Sequence, residues 1–238
     1  MRITKFGHAC VRIEHDGVAL VVDPGMFTEP EAVDGATAVL LTHLHPDHYL
    51  SDHLRATDAP VFTVVDLADK IRDEAPDVAE RVTVVATGEE FDPGLPVTAV
   101  GEWHNVIHPE LPRPYNCGYL VTVADQRVYH PGDALTEPGV PVDVLLCPSS
   151  APWLRSAMAV GLSGRLAPRA TSPSTTGSTP TWRTGSCRPR WTPWSVRAAR
   201  SGSGSQTAPT SDAELTLASN KQFRACALLG EWGALAAP

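Results

Sequence analysis

The sequence predicts a layered α/β fold, an α/β sandwich, over about its first two thirds. Short apolar runs of strand length recur between turns rich in Gly, Pro and Asp, and only two short helical segments lie among them. The chain has 238 residues, of which 42% are hydrophobic and 19% are charged, enough to bury the core of one domain. A helical bundle, a collagen and a fully disordered chain are therefore excluded.

The chain opens with a predicted β-hairpin or meander. Apolar and polar residues roughly alternate over 2–7 and 10–14, and His15-Asp16-Gly17 is a turn signal before the continuous apolar run 18–22. The helix predicted over 67–74 is ended by Ala75-Pro76, because proline disfavours helical geometry in the residue before it. A shorter helix is predicted over 50–55, and further strands over 38–41, 61–65, 81–85, 97–103, 118–123, 127–129 and 142–146.

The charge divides the chain into two unlike parts. Residues 1–158 contain 24 Asp and Glu against 10 Lys and Arg, a net charge of −14, whereas 159–238 contain 3 against 9, a net charge of +6. The stretch 156–200 is rich in Ser, Thr, Pro, Arg, Gly and Trp and has neither helical nor strand periodicity. We therefore predict an incomplete folded domain over 1–158 and a poorly ordered basic tail over 159–238.

The expected setting is cytoplasmic. Five scattered cysteines include no Cys-x-x-Cys pair, and no apolar stretch has the length of a signal peptide core or a membrane span. The overall charge of −8 argues against a nucleic-acid binder or an anionic-membrane binder as the first hypothesis for the whole chain. We expect a small-molecule substrate, no membrane partner and no nucleic acid, and the oligomeric state stays open.

A histidine-rich turn follows the predicted strand 38–41. It reads His43-Leu44-His45-Pro46-Asp47-His48, with three imidazoles and a carboxylate within six residues. Neutral imidazole and carboxylate are the ligands that suit zinc and related divalent metals. Alternate residues of a tight loop point the same way, so His43 and His45 can reach one ion while Asp47 and His48 turn toward another.

Two further residues at strand ends fit the same chemistry. His104 follows the predicted strand 97–103, and Asp133 follows the strand 127–129. Each alone is a weak signal, since a His or Asp at a strand end is often a turn residue. Together with the turn they supply a third imidazole and a bridging carboxylate, as in two-metal hydrolytic sites.

These motifs resemble the metallo-β-lactamase superfamily. The resemblance rests on the 43–48 turn, the preceding Val22-Asp23-Pro24-Gly25, His104 and Gly132-Asp133, and it covers about residues 1–158. The opening 5–10, Lys-Phe-Gly-His-Ala-Cys, is similar to the branch that contains L-ascorbate-6-phosphate lactonase. The resemblance implies an αββα sandwich with the metals at one edge of its two sheets.

The resemblance also implies the ligand roles. His43, His45 and His104 would bind the first ion, Asp47 and His48 the second, and Asp133 both, while Asp23 would orient ligands from outside. Metal-activated hydroxide would attack an ester, a lactone or a phosphoester, and Asp47 would orient it or accept its proton. The metal is expected to be Zn, with Mn or Fe as alternatives. His8, His108 and His130 are expected near the site as hydrogen-bonded structural residues or outer partners of the ligands, not as ligands, and His15 and His53 are expected at the surface.

One expected ligand is missing. Members of the family place another metal-binding histidine near the C-terminus, whereas the last histidine here is His130. Reading the codons for 171–195 with a one-base shift permits a His-Asp pair and then a helical pattern, with the histidine codon straddling Ser174 and Thr175. We therefore expect a frameshift near 156–162, an incomplete second site, and weak or single-metal loading.

Two alternatives remain open at this stage. In the first, the chain is a catalytically impaired remnant of the hydrolase that binds a metal or ligand without turnover. In the second, the basic, Trp-bearing tail is a nucleic-acid-binding arm, since Arg and aromatic residues interleave there. The changed frame explains the same tail residues with fewer assumptions than the arm does.

Overall fold

The computed structural model describes residues 1–174 and 213–216. Two β-sheets face each other, one of seven strands in the order β13-β1-β2-β3-β4-β5-β6 and one of six in the order β12-β11-β10-β9-β8-β7. The first comprises β1 Arg2–Lys5, β2 Val11–His15, β3 Val18–Val22, β4 Ala38–Leu40, β5 Val61–Thr63, β6 Val82–Val84 and β13 Ala213–Thr216. The second comprises β7 Glu90–Phe91, β8 Val97–Val100, β9 Gly118–Val123, β10 Gln126–His130, β11 Val144–Cys147 and β12 Ala170–Pro173.

Helical segments lie between the strands. They are a 3₁₀ turn at Pro30–Val33 and the helices α1 Ser51–Arg55, α2 Val65–Glu74, α3 Pro76–Ala79 and α4 Ser156–Leu166. None of the helices in 1–174 is long and apolar enough to cross a membrane. The layered α/β fold predicted from the sequence is confirmed, and most predicted strands lie within a few residues of their observed bounds.

The opening hairpin shows how the sequence determines the strand geometry. β2 and β3 pair antiparallel with His15 opposite Val18, and both turn residues have positive φ, 48° at Asp16 and 83° at Gly17. Positive φ at both positions is the mark of the two-residue turn that matches the twist of the strands. This turn determines the register of β2 against β3.

The continuous apolar run in β3 is explained by burial on both faces. Leu20 and Val22 belong to the main core cluster, which also contains Val97 and Val144 of the second sheet. Val21 points the other way and packs with Val33 of the 3₁₀ turn. Because β3 pairs parallel with β4 and is covered on both sides, it needs apolar residues at every position.

The sequence prediction fails at α4. We expected no periodic element after residue 156, but Ser156–Leu166 is helical and β12 pairs parallel with β11, Ala170 opposite Val144. Ala159 and Leu162 pack with Leu145 on the outer face of the second sheet. Burial against the sheet thus stabilises a helix that the weak periodicity of this segment did not predict.

The domain boundary predicted at residue 158 falls inside α4. Where the domain ends stays a prediction, because 175–212 and 217–238 lie outside the described residues. Most of the segment read in a changed frame, and most of the predicted tail, falls in those ranges.

Candidate metal centre

The histidine turn lies at the end of β4, against the loop that follows β3. The amide of His48 donates to the carbonyl of His45 at 3.0 Å, which closes the turn, and the amide of Met26 donates to the carbonyl of Pro46 at 2.9 Å. A Cβ at Gly25 would lie 2.0 Å from the carbonyl oxygen of Asp47. Only glycine allows this approach. The loops that follow the neighbouring parallel strands β3 and β4 therefore meet at the position where the sequence predicts the site.

The first group of candidate ligands consists of His43, His45 and His104, which the structure brings together as predicted. One ring nitrogen from each lies within 4.8 Å of the other two. Nε2 of His43 is 3.0 Å from Nδ1 of His45. His43 and His104 are fully buried and His45 is partly exposed, so one side of the group faces solvent.

Asp133 lies between this group and a second group of candidate ligands, formed by Asp47 and His48. Its Oδ2 is 3.5 Å from Nε2 of His104, and its Oδ1 is 3.4 Å from Nε2 of His48. Nε2 of His48 is in turn 3.9 Å from Oδ2 of Asp47. Each oxygen of Asp133 therefore faces a different histidine, which is the arrangement that a bridging carboxylate requires.

Unpartnered buried atoms test whether these residues fit a metal. Nε2 of His48, Nε2 of His104 and Oδ1 of Asp133 are buried and have no hydrogen-bond partner. Each such atom costs about 1–3 kcal/mol when left without a partner. A divalent cation would satisfy all three, because imidazole nitrogen and carboxylate oxygen are its common ligands. The donor set therefore fits a divalent metal.

Asp23 organises the imidazoles from behind. It is fully buried, and its carboxylate accepts hydrogen bonds from the amide of Thr42 at 2.7 Å, the hydroxyl of Thr42 at 2.7 Å and Nδ1 of His48 at 2.8 Å. The hydroxyl of Thr42 also pairs with Nδ1 of His43 at 2.9 Å. Both rings thus present Nε2 to the centre. Holding a ligand ring in this way is the usual role of an outer hydrogen-bond partner at a metal site.

The charges of the centre are strongly coupled. Burial lowers the pKa of His43 well below its ordinary value, and a charge on His48 lowers it further. Burial would also lower the pKa of His48, but the carboxylates of Asp133 and Asp23 raise it well above the ordinary value. Burial would raise the pKa of Asp133, and His48 holds it well below instead. In the metal-free chain these shifts favour the neutral form of His43 and the protonated, charged form of His48.

Sequence reasoning missed two side chains that hold Asp133. The side-chain oxygen of Asn116 accepts from the amide of Asp133 at 2.9 Å, and Nε1 of Trp153 donates to Oδ2 of Asp133 at 3.0 Å. A Cβ at Gly132, where φ is +62°, would lie 2.4 Å from Oδ1 of Asn116. Gly132 was the only signal of this packing, since neither Asn116 nor Trp153 belongs to a recognisable motif.

The remaining histidines divide into near and remote ones. Nε2 of His8 is 2.9 Å from Oδ2 of Asp47, so His8 borders the centre. His130 is buried and its Nε2 is 3.3 Å from the carbonyl oxygen of Ala9, consistent with a structural residue, and His108 is exposed. His15 is partly exposed beside Asp16. The surface interpretation of His53 is wrong: it is only 6% exposed, because that face of the short helix α1 turns inward.

A family model described as "Beta-lactamase superfamily domain" matches residues 2–174. Protein Rv0786c of Mycobacterium tuberculosis is 38% identical over 175 residues, which are 71% of this chain and 80% of that protein. A UPF0173 metal-dependent hydrolase of Methylobacterium nodulans is 31% identical over 208 residues, 76% of this chain and 86% of that protein. The matched domain thus includes α4 and β12, beyond the boundary predicted from composition.

The fold is shared with solved structures at lower identity. Igni18, a metallo hydrolase from the archaeon Ignicoccus hospitalis, superposes with a TM-score of 0.57 at 19% identity and covers 73% of this chain and 82% of that one. A likeness at this identity concerns the fold alone. It places the two sheets and their strand-end loops in a known architecture.

Proposed function

The chain belongs to the metallo-β-lactamase superfamily, and from this premise we propose that it is a metal-dependent hydrolase of a small molecule with an ester, lactone or phosphoester bond. The placement of Asp133, with one carboxylate oxygen toward each of two groups of candidate ligands, is the observation that carries the proposal. Relatives named metal-dependent hydrolases support the reaction class. A lactone is the first substrate to test, because residues 5–10 resemble the lactonase branch.

The proposed ligands are distributed over two positions. His43, His45 and His104 would hold the first ion, Asp47 and His48 the second, and Asp133 would contact both. When bound, the metal supplies Lewis acidity and a lowered pKa for water. Zn suits this donor set best, and Mn and Fe are the alternatives to test.

Asp47 is the proposed catalytic residue. Its side chain is 33% exposed, so it lies at the open side of the centre, and it accepts a hydrogen bond from His8. Burial would raise its pKa, but the hydrogen bond from His8 and the charge of His48 lower it, so the group is a carboxylate at neutral pH. A carboxylate there can orient the attacking water and accept its proton.

The second proposal is a catalytically impaired remnant. It rests on the composition of 159–238 and on His130 being the last histidine, which together support a changed reading frame between residues 156 and 174. The family match extends to residue 174, which favours the later part of that stretch over the 156–162 expected from composition. Resequencing of that stretch tests the frame. Hydrolysis of a lactone and an aryl phosphodiester by this chain, beside a chain with the frame restored, tests the function. Turnover by this chain supports the hydrolase and contradicts the remnant, turnover by the restored chain alone supports the remnant, and turnover by neither contradicts hydrolysis of these two substrate classes.

The cellular setting and the partners are proposed from the cysteines and the net charge. Cys10, Cys117 and Cys147 are buried free thiols, which supports a reducing, cytoplasmic setting. The net charge of −14 over residues 1–158 argues against nucleic acid and anionic membranes as partners of the domain.

Proton release on metal binding is expected to differ between the two positions. The raised pKa of His48 keeps it protonated at neutral pH, so an ion must displace about one proton there, and its affinity falls as the pH drops below that pKa. His43 is already neutral because its pKa is lowered, so the first ion displaces less. Calorimetric titrations at pH 7 in two buffers of different ionisation enthalpy measure the proton count. Equal counts for both ions would contradict this assignment.

A further inference from the structure

His8 lies beside Asp47, at the solvent-facing side of the second group of ligands. The candidate atoms of His8, Asp47 and His48 all lie within 4.8 Å of one another, so these three residues form a potential metal-binding group of their own. We propose that His8 is a ligand of the second ion, completing the set formed by Asp47, His48 and Asp133. This inference rests on the proposed function, since it assigns one more residue to the same centre.

The spacing of the atoms agrees with shared coordination. Two ligands of a tetrahedral ion, each about 2.1 Å from it, lie about 3.4 Å apart. Nε2 of His8 is 2.9 Å from Oδ2 of Asp47, and that oxygen is 3.9 Å from Nε2 of His48. Oδ1 of Asp133 is 3.4 Å from the same nitrogen of His48. These three separations bracket the expected one.

His48 presents a buried ring nitrogen toward this position. Its Nδ1 is held by Asp23, whereas its buried Nε2 has no hydrogen-bond partner. Asp133 also presents an unpartnered buried oxygen on this side. The His8 side chain, 24% exposed, and Asp47 close the opposite side toward solvent. The second ion would thus have two ligands from the interior and two from the rim.

The loop that carries His8 is built to hold it in place. His8 has φ of +52°, a conformation that non-glycine residues adopt only at a cost. The ammonium group of the largely buried Lys5 donates to the carbonyls of Phe6 and His8. These contacts fix the backbone on both sides of His8.

Glu29 and Phe27 hold the same loop from the other side. Oε2 of Glu29 accepts from the amide of Gly7 at 2.6 Å. A Cβ at Gly7 would lie 1.9 Å from the carbonyl oxygen of Phe27, so the segment 27–29 packs directly on this turn. The His8 ring also packs edge to face on the Phe27 ring, 5.4 Å between centroids. These contacts preorganise the position of His8, as a ligand position requires.

The competing explanation is that His8 only donates a hydrogen bond to Asp47. Two substitutions separate it from ligation. Gln in H8Q can still donate to Asp47, and Asn in H8N tolerates the positive φ, but neither amide replaces an imidazole as a ligand. H15N, at a partly exposed histidine remote from the centre, is the matched control.

The experiment titrates Zn²⁺ into the metal-free full chain and its variants by calorimetry, with metal content after desalting as a second readout. The wild-type chain and H15N are expected to bind two ions, the second more weakly. H8Q and H8N are expected to keep the first ion and to lose at least about 10-fold in affinity for the second. In ¹⁵N spectra of the wild-type chain, the ring nitrogen of His8 should shift only with the second equivalent.

Four results would overturn the inference. Unchanged second-ion affinity in H8Q would reduce His8 to a hydrogen-bond donor, and an unshifted His8 nitrogen would do the same. A wild-type chain that binds one ion and never a second would also overturn it, while the proposed function would stand. A wild-type chain that binds no divalent ion would overturn both proposals.

Discussion

Replacing His45 by alanine is expected to lower the affinity for the first ion by at least about 100-fold, more than the loss usual for an outer partner of a ligand. His45 supplies one of only three imidazoles in that group. It is also the only one of the three that is partly exposed, so its truncation leaves little buried void. Competition of the purified variant with a chromophoric chelator measures the affinity, and far-UV circular dichroism checks the fold.

H108A is the control for this variant. His108 is an exposed histidine in the loop between β8 and β9, the same loop that carries His104, and it belongs to none of the ligand groups. It is expected to bind the first ion as the wild-type chain does. Equal affinities in H45A and the wild-type chain would show that the first ion, if bound, lies elsewhere.

Removal of the Asp23 carboxylate in D23A is expected to destabilise the metal-free chain by about 3–5 kcal/mol, the usual cost of breaking a buried charged pair. The substitution leaves the amide and hydroxyl of Thr42 and Nδ1 of His48 without their acceptor, and all three groups are buried. Urea unfolding in the presence of a chelator measures the loss separately from any effect of metal.

The isosteric D23N separates shape from charge. Its amide keeps an oxygen for the amide of Thr42 and tolerates the φ of +52° at this position. Because it keeps this acceptor, D23N should be destabilised less than D23A. Because it offers no charge to His48, it should bind the second ion about 10–100-fold more weakly than the wild-type chain. A metal-free D23A as stable as the wild-type chain would show that Asp23 does not organise the centre.

The sequence was sufficient for the parts of the centre that are local. The turn 43–48 places its side chains by its own spacing, and the strand before it is a run of apolar residues that a buried parallel strand requires. His104 and Asp133 each follow a strand, and strand ends at one sheet edge meet in space. For these residues the chemistry and the local pattern point to the same place.

The rest depended on contacts distant along the chain. Trp153 reaches Asp133 across 20 residues, and His8 reaches Asp47 across 39. No periodicity or motif encodes such pairs, because they arise from the packing of whole strands and loops. The helix α4 was missed for the same reason, since its two buried residues become meaningful only against the second sheet.

The central claim is that His43, His45 and His104 hold a divalent metal ion next to Asp133. An anomalous difference map from crystals of the Zn²⁺-loaded full chain, collected at the zinc absorption edge, tests it most directly. We predict a peak among the ring nitrogens of these three histidines, and a second, weaker peak between Asp47, His48 and His8. A well-ordered centre without a peak at the first position, or with zinc bound only elsewhere on the chain, would contradict the account.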